Sequence, residues 1–350
     1  MGALHRLATI ALTSLDPERA HRLTIRGLKL GLGPRSSLPD DPILATRIGG
    51  LNLSNPIGLA PGFDKDAETP DAMLRAGFGF VECGTVTPLP QVGNPKPRLF
   101  RLTEDRAVIN RMGFNNLGLE AFTRRLAARR RQGVVGANIG ANKESTDRVG
   151  DYRLGLRRVW GLCDYVTINI SSPNTPGLRA LQEKNALADL LGAVAETRSS
   201  QAKPNATPIF LKVAPDLNDS EAADIVDNAV RFGLNGIIVS NTTIARPDGL
   251  KSATKGEIGG LSGAPLMAPS TQMLRIFHQA AAGRLDLIGV GGVTCGADAY
   301  AKVRAGARAV QLYSALVYSG PGLADDIRRD LASRLRADGF ASLQAAVGAV

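Results

Sequence analysis

Four asparagine side chains carry the clearest indication of chemistry in this sequence: Asn110, Asn169, Asn174 and Asn241. Each carboxamide offers an acceptor oxygen and a nitrogen with two protons to donate. A ring built from ureide groups presents the complementary alternation of carbonyl and N–H groups, so these residues predict a site for such a ring. Asn174 has an alternative role as a turn residue, because Thr175-Pro176-Gly177 follows it.

Two lysines add positive charge to this set. Lys65 follows Gly62-Phe63-Asp64 and suits a carboxylate on the bound ring. Lys212 has three interpretations: a core lysine that reaches solvent, a Schiff-base lysine, or a cation beside a flavin. A cation near N1 of a flavin stabilises the anionic reduced ring and so helps it accept hydride. No other feature indicates Schiff-base chemistry, so we favour the flavin.

A glycine pair, Gly291-Gly292, and the pair Tyr313-Ser314 indicate a phosphate site. In α/β barrels, backbone amides after strands seven and eight, with a helix N-terminus nearby, commonly bind phosphate. Two glycines are weak evidence by themselves, since they also permit a tight turn. Their place near the end of a series of strand–helix units favours phosphate.

That series consists of short apolar runs which lack polar alternation, as expected of parallel strands buried on both faces. Helical segments lie between most of them. Eight strand–helix units in series predict an α/β fold, a closed (β/α)₈ TIM barrel. The runs are Ile57–Ala60, Phe80–Val86, Val134–Gly140, Tyr165–Ser171, Ile209–Ala214, Gly236–Thr243, Leu287–Val293 and Ala309–Ala315.

The polar candidates fall at the carboxyl ends of these runs, where the active sites of such barrels collect. Burying polar groups unpaired costs about 1–3 kcal/mol each, so we expect a polar ligand that satisfies them. Leu99–Asn110, with Thr103-Glu104-Asp105 at its middle, predicts a small β-hairpin inserted after the second strand.

The first forty residues have a different pattern. Apolar residues recur at helical spacing from Leu4 to Leu15, and a second amphipathic stretch begins at Pro17. We therefore predict a two-helix extension over residues 1–40, ahead of a barrel domain over residues 41–340. Such helices either cap a barrel or lie on a bilayer with a cationic face towards anionic lipid. The residues alone favour a packed cap.

Composition excludes several classes of protein. Cys83, Cys163 and Cys295 are widely spaced, which predicts free thiols and no metal site. No run approaches the roughly 18 apolar residues of a membrane span, and no convincing cleavage site follows the opening segment. The net charge is +10, but the basic run Arg124–Arg131 lacks a nucleic-acid motif and predicts a solvated helix face.

The motifs together resemble one family, the class 2, quinone-dependent dihydroorotate dehydrogenases, over most of the chain. The resemblance implies oxidation of dihydroorotate to orotate in pyrimidine biosynthesis, with FMN as cofactor and a membrane quinone, ubiquinone or menaquinone, as electron acceptor. The matching stretches are Leu15–His21, Gly62–Lys65, Gly84–Pro88, Lys96–Arg101, Ile109–Asn116, Asn169–Gly177, Asn241–Thr243, Gly259–Gly263 and Gly289–Gly292.

The resemblance implies that Ser172 is the catalytic base for the C5 proton, while hydride leaves C6 for N5 of FMN. Class 1 enzymes carry a cysteine there, and the residues alone do not distinguish Ser172 from Ser171. Thr175 and Phe114 match a proton relay. The implied substrate contacts are Lys65, Asn110, Arg111, Met112, Gly113, Phe114, Asn169, Asn174, Asn241 and Thr242. The implied FMN contacts are Pro61, Gly62, Phe63, Asp64, Lys65, Thr85, Asn138, Asn169, Lys212, Ser240, Gly263, Gly292, Tyr313 and Ser314.

The resemblance also changes the interpretation of the extension. In class 2 enzymes these helices frame a tunnel from the bilayer to the flavin, and His21, Arg101 and Tyr313 match its polar positions. It implies a membrane-associated protein, and we expect neither a dedicated protein subunit nor nucleic acid as a partner. The Arg-, Ala- and Gly-rich composition is typical of a high-GC bacterium and predicts a peripheral position on the cytoplasmic side of the inner membrane. Pro61 and Cys83 depart from the family's usual residues, and the tail Arg336–Val350 has no counterpart.

Two other functions stay open at this point. A soluble flavin barrel that uses fumarate or a partner subunit would carry cysteine at position 172 and lack the N-terminal helices. A flavin-free, phosphate-binding isomerase or lyase would be colourless when purified.

Overall fold

A barrel of eight parallel strands forms the body of the protein. Its structure is a computed structural model that describes residues 12–203 and 207–349. The barrel strands are β3 (Ile57–Leu59), β4 (Phe80–Val86), β7 (Val134–Ile139), β8 (Tyr165–Asn169), β9 (Ile209–Val213), β10 (Gly236–Val239), β12 (Asp286–Val290) and β13 (Ala309–Leu312). They follow one another around the ring in chain order, and β13 pairs with β3. The predicted TIM barrel is therefore confirmed.

Two small antiparallel sheets complete the strands. One is the hairpin of β1 (Thr46–Ile48) and β2 (Leu51–Leu53), and the other contains β5 (Leu99–Leu102), β6 (Ala107–Asn110) and β11 (Gly260–Gly263) in the order β11-β6-β5. The hairpin predicted within Leu99–Asn110 is thus present. Neither β1–β2 nor β11 was predicted.

The helices lie outside the barrel and bury their apolar residues against it. The helix α6, for example, begins with a capping box in which Asn218 and Glu221 satisfy each other's backbone amides. The helices are α1 (Pro17–Lys29), α2 (Pro70–Arg75), α3 (Gly118–Ala128), α4 (Arg148–Val159), α5 (Lys184–Ser199), α6 (Asp219–Arg231), α7 (Met267–Ala281), α8 (Gly296–Arg304), α9 (Ala315–Ser319), α10 (Leu323–Ala337) and α11 (Leu343–Ala346).

Aromatic rings fill the amino-terminal half of the barrel. The Tyr165 ring meets Phe210 with centroids 5.5 Å apart and Phe80 with centroids 6.3 Å apart. Ile48 and Leu53 of the β1–β2 hairpin pack against the same cluster. Because this end is filled, the space left for a ligand lies at the carboxyl ends of the strands.

The helix α1 joins the N-terminal segment to the barrel. Asp16 caps it by accepting from the Arg19 amide at 2.9 Å. Glu18 forms a two-pronged ion pair with Arg98, at 3.1 Å from Nε and 2.8 Å from Nη2. The predicted start of this helix at Pro17 is confirmed, while most of the first predicted helix lies outside the described residues. Among the described helices, none is long and apolar enough to span a membrane.

The basic run Arg124–Arg131 is only partly solvated. The Arg129 side chain is 4 % exposed and lies 3.4 Å from Asp71 and 3.6 Å from Asp164. Because Arg129 follows the end of α3 instead of lying on its outer face, tertiary contacts draw it inward. The prediction of a solvated face is wrong for this residue.

The C-terminal tail packs against α8. Leu343 and Ala346 are fully buried, the Gly348 amide donates to the Val303 carbonyl at 3.1 Å, and Arg304 donates to the Ala349 carbonyl at 2.6 Å. The tail is therefore part of the folded domain.

Candidate active site

A cavity of about 280 Å³ lies at the carboxyl ends of the barrel strands and continues between α1 and the sheet of β5 and β6. Most of the residues predicted for the site line it together. These are His21, Pro61, Gly62, Phe63, Lys65, Thr85, Arg101, Asn110, Met112, Gly113, Phe114, Asn169, Ser172, Asn174, Lys212, Ser240, Asn241, Thr242, Gly263, Gly292, Tyr313 and Ser314.

Four predicted residues, Asp64, Arg111, Asn138 and Thr175, lie behind or beside that wall. Asp64 is buried and accepts hydrogen bonds from the amides of Glu68 and Thr69 at 2.8 and 2.7 Å. It therefore holds the loop that carries Lys65, and burial raises the pKa of its carboxyl.

Arg111 is directed away from the cavity. Its Nη1 lies 2.7 Å from Glu257, and its guanidinium carbon lies 4.7 Å from the centroid of the Phe100 ring. Its contribution to the site is therefore its backbone, at the end of β6, and not its charge.

A continuous hydrogen-bond chain forms the polar floor of the cavity. Thr85 Oγ1 donates to Asn138 Oδ1 at 2.6 Å, and Asn169 Nδ2 donates to Thr85 Oγ1 at 2.8 Å. Ser171 Oγ donates to Asn169 Oδ1 at 3.0 Å, and Asn241 Nδ2 donates to Ser171 Oγ at 3.0 Å. Each member fixes the orientation of the next, so the floor is pre-organised.

The two adjacent serines have different environments. Ser171 belongs to the floor and does not line the cavity, whereas Ser172 lines it and accepts from the Asn174 amide at 3.2 Å. The structure thus distinguishes residues that the sequence left equivalent. Asn174 is also more than a turn residue, because its Nδ2 donates to Asn110 Oδ1 at 3.3 Å.

The two lysines differ in their partners. Lys65 Nζ donates to the Gly62 carbonyl at 2.7 Å, and desolvation lowers its pKa to about 8. Lys212 is buried and has no hydrogen bond or ion pair with any described residue. Burial lowers the pKa of Lys212, and the charge of Glu82 acts in the opposite direction. An amine so placed is suited to an electron-rich ligand in the cavity, which would favour its charged form.

The turn after β12 presents backbone donors. Gly292 has φ +79°, and a Cβ there would lie 2.3 Å from the backbone of Met267, so only glycine fits. In the described part of the chain, the amides of Gly292, Val293 and Ser314 have no hydrogen-bond acceptor. Unpaired amides that converge on a cavity are suited to an anion such as phosphate.

Lys302 supports this turn from below and was missed by sequence reasoning. Its buried Nζ donates to Ser270 Oγ at 2.8 Å, and Ser270 Oγ in turn lies within hydrogen-bond distance of the Leu266 and Gly291 carbonyls, at 2.6 and 3.0 Å. Burial lowers the pKa of Lys302 to about 7. Nothing in its local pattern, a lysine within α8, separates it from a surface residue.

Three rings line the branch of the cavity beneath α1. The centroids of His21 and Phe63 are 5.6 Å apart, those of Phe63 and Tyr313 are 5.7 Å apart, and Tyr313 Oη lies 3.4 Å from His21 Nδ1. Desolvation, reinforced by the charge of Lys65, lowers the pKa of His21 to about 3. His21 is therefore neutral at neutral pH.

The remaining walls of this branch are largely apolar and were not predicted. Arg101 borders it and donates to the carbonyls of Thr13 and Leu15 at 2.9 and 2.6 Å, so it holds the turn before α1. Leu99, two residues earlier on the same strand face, was the available indication. The apolar lining includes Pro17, Ala20, Leu99, Val108, Leu316, Val317 and Pro321.

Comparison with known proteins gives a consistent set of relatives. The family model described as dihydroorotate dehydrogenase matches residues 43–335. A dihydroorotate dehydrogenase (quinone) from Parvibaculum lavamentivorans is 56% identical over 347 residues, 99% of this chain and 98% of that protein. One from Xanthobacter autotrophicus is 57% identical over 340 residues, 95% of each chain. The crystal structure of the Eimeria tenella enzyme in complex with ferulenol matches with a TM-score of 0.92 at 42% identity, covering 95% of both chains.

Proposed function

This chain belongs to the dihydroorotate dehydrogenase family and oxidises dihydroorotate to orotate with a quinone as acceptor, and we propose that its flavin is FMN. One observation carries the choice of cofactor. A buried, unpartnered ammonium, Lys212, and a turn of free amides around Gly292 line the same cavity. They match the ring and the single phosphate of FMN. The flavin-free and fumarate-linked alternatives are set aside.

Bound FMN supplies the ring that accepts hydride, and the protein holds its two ends. Amides of Gly292 and Ser314 would bind its phosphate, and Lys212 would offset the negative charge that reduction adds to its ring. The residues Thr85 and Asn169 on the floor offer their remaining hydrogen-bonding capacity to its edge.

Asparagines and Lys65 bind the substrate. Asn110, Asn174 and Asn241 present carboxamides at the cavity wall, and these suit the alternating carbonyl and N–H groups of dihydroorotate. Lys65, which is protonated below about pH 8, binds its carboxylate. Holding the ring at several points fixes its reacting carbons relative to Ser172.

Ser172 is the base that removes the C5 proton. Ser172 lines the cavity, while the hydroxyl of its neighbour Ser171 is engaged in the floor. A serine needs a route for its own proton. Thr175 is buried three residues away, and its Oγ1 has no partner among the described residues, so it has capacity for a bridging water. Phe114, at the cavity wall, shapes the space for that water.

Quinone enters by the apolar branch beneath α1. His21 is neutral there and the Tyr313 hydroxyl lies beside it, while the guanidinium of Arg101 at the border of the branch is engaged by backbone carbonyls. Outside, Leu23 and Leu30 of the α1 region are 45% and 78% exposed among basic residues. This surface suits peripheral binding to an anionic leaflet on the cytoplasmic side of a bacterial inner membrane.

A serine pair tests the base. We expect Ser172→Ala to retain FMN but to slow its reduction by dihydroorotate at least about a hundredfold in single turnover. Ser171→Ala is the matched control and should slow it less than tenfold. Equal rates in the two variants would remove Ser172 from this role.

The identity of the cofactor has its own test. Release of the cofactor by heat, followed by mass measurement, identifies FMN directly; any other flavin would contradict the proposal.

A further inference from the structure

Glu82 is a buried acid that the proposed function does not use. It lies in the middle of β4, is 0% exposed, and forms no ion pair with a described residue. Its Oε1 accepts from Asn138 Nδ2 at 2.7 Å. Its Oε2 accepts from the Tyr165 hydroxyl at 3.0 Å and from Gln311 Nε2 at 2.7 Å. Donors directed at both oxygens are the arrangement that an ionised carboxylate takes, because it only accepts.

Asn138 links this carboxylate to the cavity. Since its Nδ2 donates to Glu82, its Oδ1 faces Thr85 and Asn169, at 2.6 and 3.2 Å. Both of those residues line the cavity. Along this path two side chains separate Glu82 from the ligand space, Asn138 and then Thr85 or Asn169, and Glu82 sets the direction in which the floor donates and accepts.

Lys212 is a buried cation that lines the same cavity. It is 4% exposed and does not touch Glu82, yet each charge acts on the other through the barrel interior. In a medium of low polarity, the field at the cavity is the sum of both charges. A ligand beside Lys212 therefore experiences a positive charge that Glu82 partly offsets.

We propose that Glu82 sets how readily the bound flavin is reduced, by opposing the charge of Lys212. The inference rests on the proposed function, which has a flavin bound in this cavity. Two-electron reduction adds negative charge to the ring, so Lys212 favours it and Glu82 disfavours it. Glu82 acts through the field and through Asn138, and is a positioning residue.

The two half-reactions place opposite demands on the reduction potential of the flavin. Dihydroorotate loses a hydride to the flavin and a proton to the base, and the flavin then passes the same two electrons to quinone, which takes up two protons. A ring that is too easily reduced speeds the first step but slows the second. The opposing charges of Glu82 and Lys212 keep the reduction potential of the flavin between that of the orotate/dihydroorotate couple and that of the quinone.

Glu82→Gln is a clean test because the pocket can accept it. The substitution keeps the shape of the side chain and its acceptor for Asn138. The new N–H group can donate to the Tyr165 hydroxyl or to Gln311, whose Oε1 is buried without a partner in the described part of the protein. The change is therefore mainly a loss of charge.

The experiment is an equilibrium titration of the holoenzyme's flavin against a reference dye, and its readout is a potential and not a turnover rate. Glu82→Gln is expected to raise the two-electron reduction equilibrium tenfold or more, a shift of at least about 30 mV. Tyr165→Phe, which removes one donor and keeps the charge, should stay within about threefold of wild type. An unchanged or lowered equilibrium in Glu82→Gln, or an equal rise in Tyr165→Phe, overturns the inference.

The other outcomes are also informative. If Glu82→Gln does not fold, Glu82→Met, which also removes the charge, replaces it: a tenfold rise in the reduction equilibrium supports the inference, and an unchanged or lowered equilibrium overturns it. A wild-type protein that contains no flavin overturns both this inference and the proposed function. If the protein contains flavin but its reduction potential does not change when the charge at position 82 is removed, the inference is overturned and the proposed function stands.

Discussion

Replacing Lys212 with methionine removes a buried positive charge and keeps the length of the side chain. Lys212 is 4% exposed and has no protein partner within the described residues, so its charge acts mainly on the ligand. A unit charge about 4 Å from that of a reduced ring contributes about 4 kcal/mol at an effective dielectric constant of 20. Because water replaces part of this interaction in the variant, we expect the free energy of flavin reduction to become less favourable by about 3 kcal/mol. This corresponds to about 150-fold in the reduction equilibrium, or about 65 mV.

The stability of the apoprotein should not suffer from the same substitution, although reduction of the bound flavin should. Burial lowers the pKa of Lys212, so the ammonium form is disfavoured in the folded apoprotein relative to the unfolded chain. Between its folded pKa and that of a free lysine, the unfolded chain binds more protons, and stability rises with pH. Lys212→Met should lack this rise and should not lower the free energy of unfolding at neutral pH. FMN should stabilise it less than it stabilises the wild type.

Three measurements check these statements: a dye-referenced potential, FMN affinity from fluorescence quenching, and urea unfolding of the apoprotein at two pH values. Lys251→Met is the matched control, because Lys251 is exposed. A Lys212→Met variant within about 10 mV and twofold in FMN affinity of the control would refute the role assigned to this lysine.

Three further outcomes are expected. The affinity for orotate, followed by flavin absorbance, should fall about tenfold per pH unit above about pH 8, because Lys65 loses its proton there; Lys65→Met should abolish this dependence. Lys302→Met should weaken FMN retention about tenfold by releasing the Gly291 turn, whereas Lys251→Met should not. Deletion of residues 1–35 should spare flavin reduction by dihydroorotate and abolish quinone turnover; intact turnover would contradict entry beneath α1.

Regular features of the fold could be predicted because they depend on local pattern. Continuous apolar runs such as Phe80–Val86 identified the barrel strands, and Pro17 identified the start of α1. The β1–β2 hairpin escaped prediction because strands of three residues are too short to show periodicity. The strand β11, Gly260–Gly263, has a glycine at each end and little propensity of its own; pairing with β6 creates it.

The site also contains residues that local pattern predicts and residues that it does not. Strand ends located the polar candidates, because carboxyl ends of parallel strands converge at one rim. The burial of Arg129, Lys302 and Glu82 depends on partners distant in sequence, and a single position does not reveal it. The sequence did not distinguish Ser171 from Ser172, because β8 ends just before them and the alternation of a strand no longer predicts which side chain points to the barrel interior.

Anaerobic stopped flow on the purified holoenzyme, with dihydroorotate added first and quinone second, follows both half-reactions at the flavin. We predict that the flavin absorption band bleaches on the first addition in the wild type and in Ser171→Ala, but far more slowly in Ser172→Ala. It should return on addition of ubiquinone or menaquinone. A band that dihydroorotate leaves unchanged, or a reduced flavin that neither quinone reoxidises, would contradict flavin-mediated electron transfer from dihydroorotate to quinone in this cavity.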